Sequence, residues 1–151
     1  MKWQSLLASF AIGLIPAGAV HAAQADHVTA SHAWIRLLPA KLPAAGYVTL
    51  QNAGSSAATL VSAHSAVYAS VMLHESDVES GGMNGMHAVN QLAISATGKA
   101  MLAPAGYHLM LEQPDRVLKP GDKVEITLDF ADRSHLPVQF AVRPANTADP
   151  N

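Results

Sequence analysis

Short runs of alternating apolar and polar residues, separated by turn-forming clusters, limit the fold of this chain more than any other feature. After residue 27 no segment keeps the apolar repeat of about 3.6 residues that an amphipathic helix needs. Clusters of Gly, Pro, Asn and Ser instead divide the chain into pieces of strand length. Strands are predicted at residues 28–38, 47–50, 59–63, 69–74, 86–94, 99–102, 107–111, 123–130 and 138–143. This pattern predicts an all-β single domain, built as a sandwich or a barrel.

The N-terminus has the pattern of a signal peptide. Lys2 supplies positive charge, residues 6–20 are mostly apolar, and Ala22 ends a short segment that a signal peptidase would cleave. The apolar stretch is short for a membrane span. We therefore expect a signal peptide at residues 1–22 and export to the periplasm. The mature chain is expected to have one domain at 23–144, a flexible tail at 145–151 and no membrane span.

Charge and cysteine content exclude several classes of protein. Without Lys2 the chain has eight basic residues against eleven acidic ones, a net charge of −3, and no basic run. Nucleic acid is therefore not an expected partner. The chain has no cysteine, so packing rather than disulfides must stabilise it. A blue-copper electron-transfer site, which needs a thiolate, is excluded as well. We expect a monomer.

Imidazole and thioether side chains form the most informative chemical pattern. His108 and Met110 fall on one face of a predicted strand, and apolar residues fall on the other. His74 lies at the end of another predicted strand. Thioether and imidazole together, without thiolate, suit Cu(I) better than zinc, iron or a hard cation. The pattern therefore predicts a Cu(I) site.

The residues alone leave the remaining ligand open. A loop predicted at residues 75–85 separates His74 from the next strand. Met83 lies in this loop, and Met86 directly follows it. Met72 shares a strand face with His74 and is a further candidate thioether. A secondary Cu(II) site is a separate prediction, at His27 and His32 near the mature N-terminus.

The other histidines and methionines are assigned ordinary roles. His87 directly follows a candidate ligand, so as a strand neighbour it should point away from the site. Met101 is expected in the core, where most methionines fill space. His64 and His135 are expected to be ordinary surface residues.

Across nearly the whole mature chain the sequence resembles the periplasmic copper chaperone family PCu(A)C. The matching segments are Ala33-Trp34-Ile35-Arg36 with Pro39, residues 44–50 with Asn52 and Gly54, Leu73-His74-Glu75, and residues 86–89, 106–111 and 118–124. The family pattern, His-x10-Met-x21-His-x-Met, is long and specific. The resemblance implies a cupredoxin-like Greek-key β-sandwich that binds one Cu(I). It also implies a role in supplying copper for cytochrome c oxidase assembly, with an oxidase subunit or a Sco-type thiol protein as the partner.

The resemblance implies that the copper ligands are His74, Met86, His108 and Met110. This chain departs from the family in one interval, since eleven residues separate His74 from Met86. The interval of 21 residues from Met86 to His108 is kept. We therefore place a one-residue insertion at 81–85, where glycines can absorb it. Met83 and Met72 are the alternative thioethers.

The predicted function is that of a copper chaperone and not of an enzyme. No paired-carboxylate, Ser/His/Asp or phosphate-binding motif occurs at usable spacing. Two alternatives are left open. One is a periplasmic protein that sequesters copper for resistance through the same ligands, and the other is a metal-free β-sandwich interaction module.

Overall fold

The computed structural model describes residues 22–39, 42–78 and 84–148. Within these ranges the chain forms a short 3-10 turn, Gln24–His27, followed by ten strands. They are β1 (Val28–Arg36), β2 (Ala44–Asn52), β3 (Ala58–His64), β4 (Tyr68–Val78), β5 (Asn84–Ala88), β6 (Leu92–Ile94), β7 (Lys99–Leu102), β8 (Tyr107–Pro114), β9 (Lys123–Phe130) and β10 (His135–Arg143). The all-β prediction is therefore confirmed. No helix in the described ranges is long and apolar enough to cross a membrane.

Two boundary predictions around β4 and β5 are wrong. The predicted loop at 75–85 is strand at 75–78 and 84–85, because β4 and β5 pair as far as Val78 opposite Asn84, and residues 79–83 lie outside the described residues. The predicted strand 86–94 is two strands, because β5 pairs with β4 whereas β6 pairs with β3. Alternation predicted extended chain correctly at 86–94, but it does not specify the partner strand.

The strands form one hydrogen-bonded path in the order β5-β4-β8-β2-β1-β10-β9-β3-β6, with β7 also paired to β2. Pairs are antiparallel except β1 and β10, which run parallel over residues 34–36 of β1. One edge of strand β2 pairs with two strands, because its residues 44–46 pair with β8 and its residues 48–51 pair with β7. Strands β3 and β4, near opposite ends of the path, pack against each other. The sheet therefore folds over and encloses one core.

Side chains at alternate positions along the strands fill this core. In β9, Val124, Ile126, Leu128 and Phe130 are buried, while the residues between them are not. Full burial of a side chain of this kind contributes about 1.5–3 kcal/mol. The expectation that Met101 belongs to the core is wrong. It is 53% exposed, because the alternation of β7 turns its neighbours inward instead.

Candidate metal centre

The register between β4 and β8 places two residue pairs side by side. His74 lies directly opposite His108, and Met72 lies directly opposite Met110. Opposed residues of an antiparallel pair project from the same face, and so do residues two apart along one strand. All four side chains therefore share one face of the sheet, while the leucines that alternate with them enter the core.

The two imidazoles are close together and largely withdrawn from solvent. Their ring centroids lie 5.9 Å apart with the planes at 61°. His74 is 8% exposed and His108 is 6% exposed. Nδ1–H of His108 donates to the backbone carbonyl of Gly106 at 3.1 Å, since a carbonyl oxygen can only accept. This bond leaves the Nε2 lone pair of His108 available to a metal ion.

His74 carries an unsatisfied nitrogen. Its Nδ1 atom is buried and has no hydrogen-bond partner among the described residues. A buried polar atom in this state costs about 1–3 kcal/mol, which a coordinated cation would offset. Burial lowers the pKa of His74, and His108 lowers it further, while Glu112 acts in the opposite direction. The imidazole therefore keeps a lone pair for coordination at neutral pH.

Strand β5 brings a third methionine to this face. Met86 lies opposite Ser76, which is two residues along β4 from His74, so Met86 projects from the same side. Met86 lies in a strand, as predicted, although this strand begins two residues earlier, at Asn84. Met86 is 58% exposed and Met72 is 36% exposed. Met83 lies outside the described residues.

The opposite face of the β4–β5 hairpin holds His87, as alternation predicts. His87 pairs in register with Glu75, and its Nε2 atom lies 3.5 Å from that carboxylate. Its Nδ1 atom lies 3.8 Å from the carboxylate of Asp77. The sheet therefore lies between His87 and the face that carries His74, His108 and the methionines, called the His/Met face below.

An aromatic pair, to which the sequence analysis assigned no role in the site, extends the His/Met face on its other side. Tyr47 lies opposite Trp34 and two residues from Ala45, which itself pairs with Met110. The two rings stand 4.7 Å apart between centroids and are buried outside the main core cluster. The Arg36 guanidinium lies 5.3 Å and 5.4 Å from their centroids. Trp34 and its neighbour Ile35 are both buried although they point to opposite faces, so burial alone does not show which face Trp34 shares with Tyr47. The strand register shows it.

The N-terminal histidines lie apart from this face. His27 ends the 3-10 turn, and His32 occupies the irregularity of β1 with a φ of 52°. Both are exposed. In the described part of the chain no three His, Asp or Glu side chains are already arranged around a metal position. The secondary Cu(II) site at His27 and His32 stays a prediction.

The chain belongs to the LpqE-like family, whose model, described as "Putative lipoprotein LpqE-like", matches residues 28–142. A relative from Leifsonia xyli subsp. xyli, "Putative lipoprotein Lxx21020", is 34% identical over 128 residues. The match covers 85% of this chain and 76% of that relative.

Solved structures share the fold. Apo-DR1885 from Deinococcus radiodurans is 34% identical with a TM-score of 0.60, covering 95% of this chain and 97% of its own. Cu(I)-DR1885 is 37% identical with a TM-score of 0.59, covering 74% of each chain. The apo PCuAC domain of PmoF1 is 21% identical with a TM-score of 0.65, covering 82% of this chain and 99% of that domain. The cupredoxin-like fold and the resemblance to PCu(A)C domains are therefore confirmed.

Proposed function

We propose that this protein is a copper chaperone that binds one Cu(I) ion on the face shared by β4, β5 and β8. The pair His74–His108 carries the proposal. One imidazole has a buried nitrogen without a partner in the described residues, and the other is held with its Nε2 lone pair available. Thioethers flank this pair on the same face, and imidazole with thioether is a donor set that suits Cu(I).

We assign the ligand roles to His74, Met86, His108 and Met110, with Met72 as an additional thioether. All these donors are neutral, so bound copper would keep its single positive charge. Glu112, two residues beyond Met110 in the same strand, projects from the same face. Its carboxylate would partly balance that charge.

The exposure of the ligands supports transfer by ligand exchange. The histidines are nearly buried, whereas Met86 and Met72 are 58% and 36% exposed. An incoming donor would therefore meet the thioethers first and displace one of them while the imidazoles still hold the ion. An acceptor with an anionic, soft thiolate would give the transfer its direction.

We further propose that the protein is exported to the periplasm through a signal peptide at residues 1–22 and has no catalytic activity. The lipoprotein names of its family and of its relative from Leifsonia xyli support export. The relative DR1885, solved with Cu(I), supports the cargo. The proposed acceptor is an oxidase subunit or a Sco-type thiol protein, in the assembly of cytochrome c oxidase.

A competition titration against a Cu(I) chromophore tests the site. The double variant His108→Ala with Met110→Ala should lose at least about a hundredfold in affinity, because it removes half of the donors. His87→Gln is the matched control, because this histidine projects from the opposite face, and it should bind as the native protein does. An unchanged affinity in the double variant would show that the site is wrong.

A deletion strain tests delivery separately from binding. Loss of oxidase activity that added copper restores is the outcome expected of a delivery protein. Copper hypersensitivity with normal respiration would instead identify a sequestering protein that uses the same ligands.

A further inference from the structure

Four side chains, two of them histidines expected to be ordinary surface residues, meet on the outer face of β3, β9 and β10. His135 lies opposite Asp129 in the β9–β10 pair, and Ser62 lies opposite Asp129 in the β3–β9 pair. His64, two residues along β3 from Ser62, projects from the same face. The register thus brings two histidines, separated by most of the domain in sequence, to one carboxylate.

The contacts within this group are short. Nδ1 of His64 lies 3.0 Å from Oδ2 of Asp129, and Nδ1 of His135 lies 2.7 Å from Oδ1. The hydroxyl of Ser62 donates to Oδ2 at 2.9 Å. Burial raises the pKa of Asp129, but the hydrogen bonds from His64, His135 and Ser62 outweigh it and hold the pKa below its usual value. The carboxylate is therefore ionised at neutral pH.

Each histidine Nδ1 already lies at donor spacing from the carboxylate, although the three groups do not yet surround one position. Donors about 2.0–2.2 Å from a common ion are separated from one another by roughly 3 Å, which is also the spacing of the two N···O contacts. Two imidazoles with a carboxylate and no sulfur suit Cu(II) or Zn(II) rather than Cu(I). An imidazole that coordinates through Nδ1 carries its N–H on Nε2, and the metal ion keeps its oxidation state, so binding needs no oxidant.

We propose that His64, Asp129 and His135 form a divalent-cation site of the Cu(II) and Zn(II) class, separate from the His/Met face. The ring centroids are 6.5 Å apart, so both rings must turn to bring their Nδ1 atoms onto one ion. The histidine side chains are 64% and 59% exposed, which leaves them room for this rotation. The side chain of Asp129 is only 16% exposed, so it is the least mobile of the three proposed ligands.

The two proposed sites use different strands and different chemistry. The His/Met face lies on β4, β5 and β8, and this cluster lies on β3, β9 and β10, near the other end of the hydrogen-bonded path. A protein with both sites would hold soft Cu(I) on thioethers and a borderline divalent ion on imidazole and carboxylate.

The test uses the full mature chain. Ag(I), a soft ion like Cu(I), is first added to saturate the thioether face, and copper(II) sulfate is then titrated. Calorimetry should show one equivalent of Cu(II) bound, and electron paramagnetic resonance should show two coordinated nitrogens. Both His64→Gln and His135→Gln should weaken binding by at least about tenfold and leave one coordinated nitrogen. His87→Gln, an exposed histidine with acidic neighbours outside the cluster, is the control and should bind normally.

Several results would overturn the proposal. They are no uptake of Cu(II) after Ag(I) saturation, uptake that neither variant weakens, or dependence on only one of the two histidines. Dependence on His27→Gln or His32→Gln instead would locate the divalent site at the N-terminal histidines. Repeating the titration without Ag(I) in a His74→Ala, His108→Ala background separates the two sites, since uptake there is expected whether or not the His/Met face binds Cu(I).

Discussion

His74 and His108 stand directly opposite each other on neighbouring antiparallel strands, with their ring centroids 5.9 Å apart. The pairing is sensitive to register, because a slip of one residue would turn one imidazole into the core and a leucine out of it. The burial of Leu73 and Leu109 therefore positions the histidines. The same packing that stabilises the β4–β8 pair sets the geometry of the candidate copper site.

Met72 and Met86 are expected to substitute for each other as copper ligands. They approach the histidine pair from different strands, and both are accessible. Met72→Leu or Met86→Leu alone should weaken Cu(I) affinity by less than about tenfold, and the double variant by more than about a hundredfold. Met101→Leu, which removes an exposed thioether from β7, is the control. A full loss with Met86→Leu alone would exclude Met72 from this role.

Gly46 should resist substitution because of its close approach to β8. A Cβ atom at this position would lie 3.3 Å from Cβ of Leu109 and 3.5 Å from Cδ1 of Leu111. Gly46→Ala is expected to lower the free energy of unfolding by about 1–3 kcal/mol, through overpacking beside the strand that carries His108. At Gly106 an added Cβ would meet only a carbonyl oxygen at 3.6 Å, so Gly106→Ala is the control. Equal melting temperatures for the two variants would contradict this account.

Asn52 is expected to contribute more to stability than any exposed amide. It is 1% exposed, donates to the carbonyls of Ser56 and Ile94 at 2.9 and 3.1 Å, and accepts from the backbone N–H of Gly54 at 2.9 Å. Asn52→Ala should cost about 2–4 kcal/mol in urea denaturation, since it leaves several buried groups unpaired. Gln139→Ala, which loses only an exposed bond to a carboxylate, should change stability by about 0.5 kcal/mol or less. A similar cost for both would show that these bonds add little.

Tyr68 should make the fold sensitive to alkaline pH. Burial raises its pKa to about 12, although Arg116 acts in the opposite direction. Because the folded pKa lies above the unfolded value of 10.0, the contribution of Tyr68 is complete below pH 10 and is lost as the pH rises towards 12. Unfolding free energies measured across this range should fall less steeply in Tyr68→Phe.

The same variant has a second expected effect at neutral pH. The Tyr68 hydroxyl is buried and has no hydrogen-bond partner among the described residues. Removing it should leave stability unchanged or raise it by up to about 1 kcal/mol. A clear loss of stability at neutral pH would mean that the hydroxyl is satisfied in solution.

Local patterns in the sequence determined which residues share a strand face. Alternation alone placed His108 with Met110, and Met72 with His74, and the absence of cysteine directed the chemistry towards Cu(I). These inferences depend only on neighbours within one strand, so they needed no knowledge of the partner strands.

Pairing between distant strands was decided only by the tertiary structure. Register set His74 opposite His108, paired residues 75–78 with residues 84–87 where a loop was predicted before Met86, and brought His64 and His135 to Asp129. A strand's own sequence states which side each residue faces, but not which strand lies beside it or at what offset. The ligand types could therefore be read from the chain, whereas their meeting point depends on packing across the whole core.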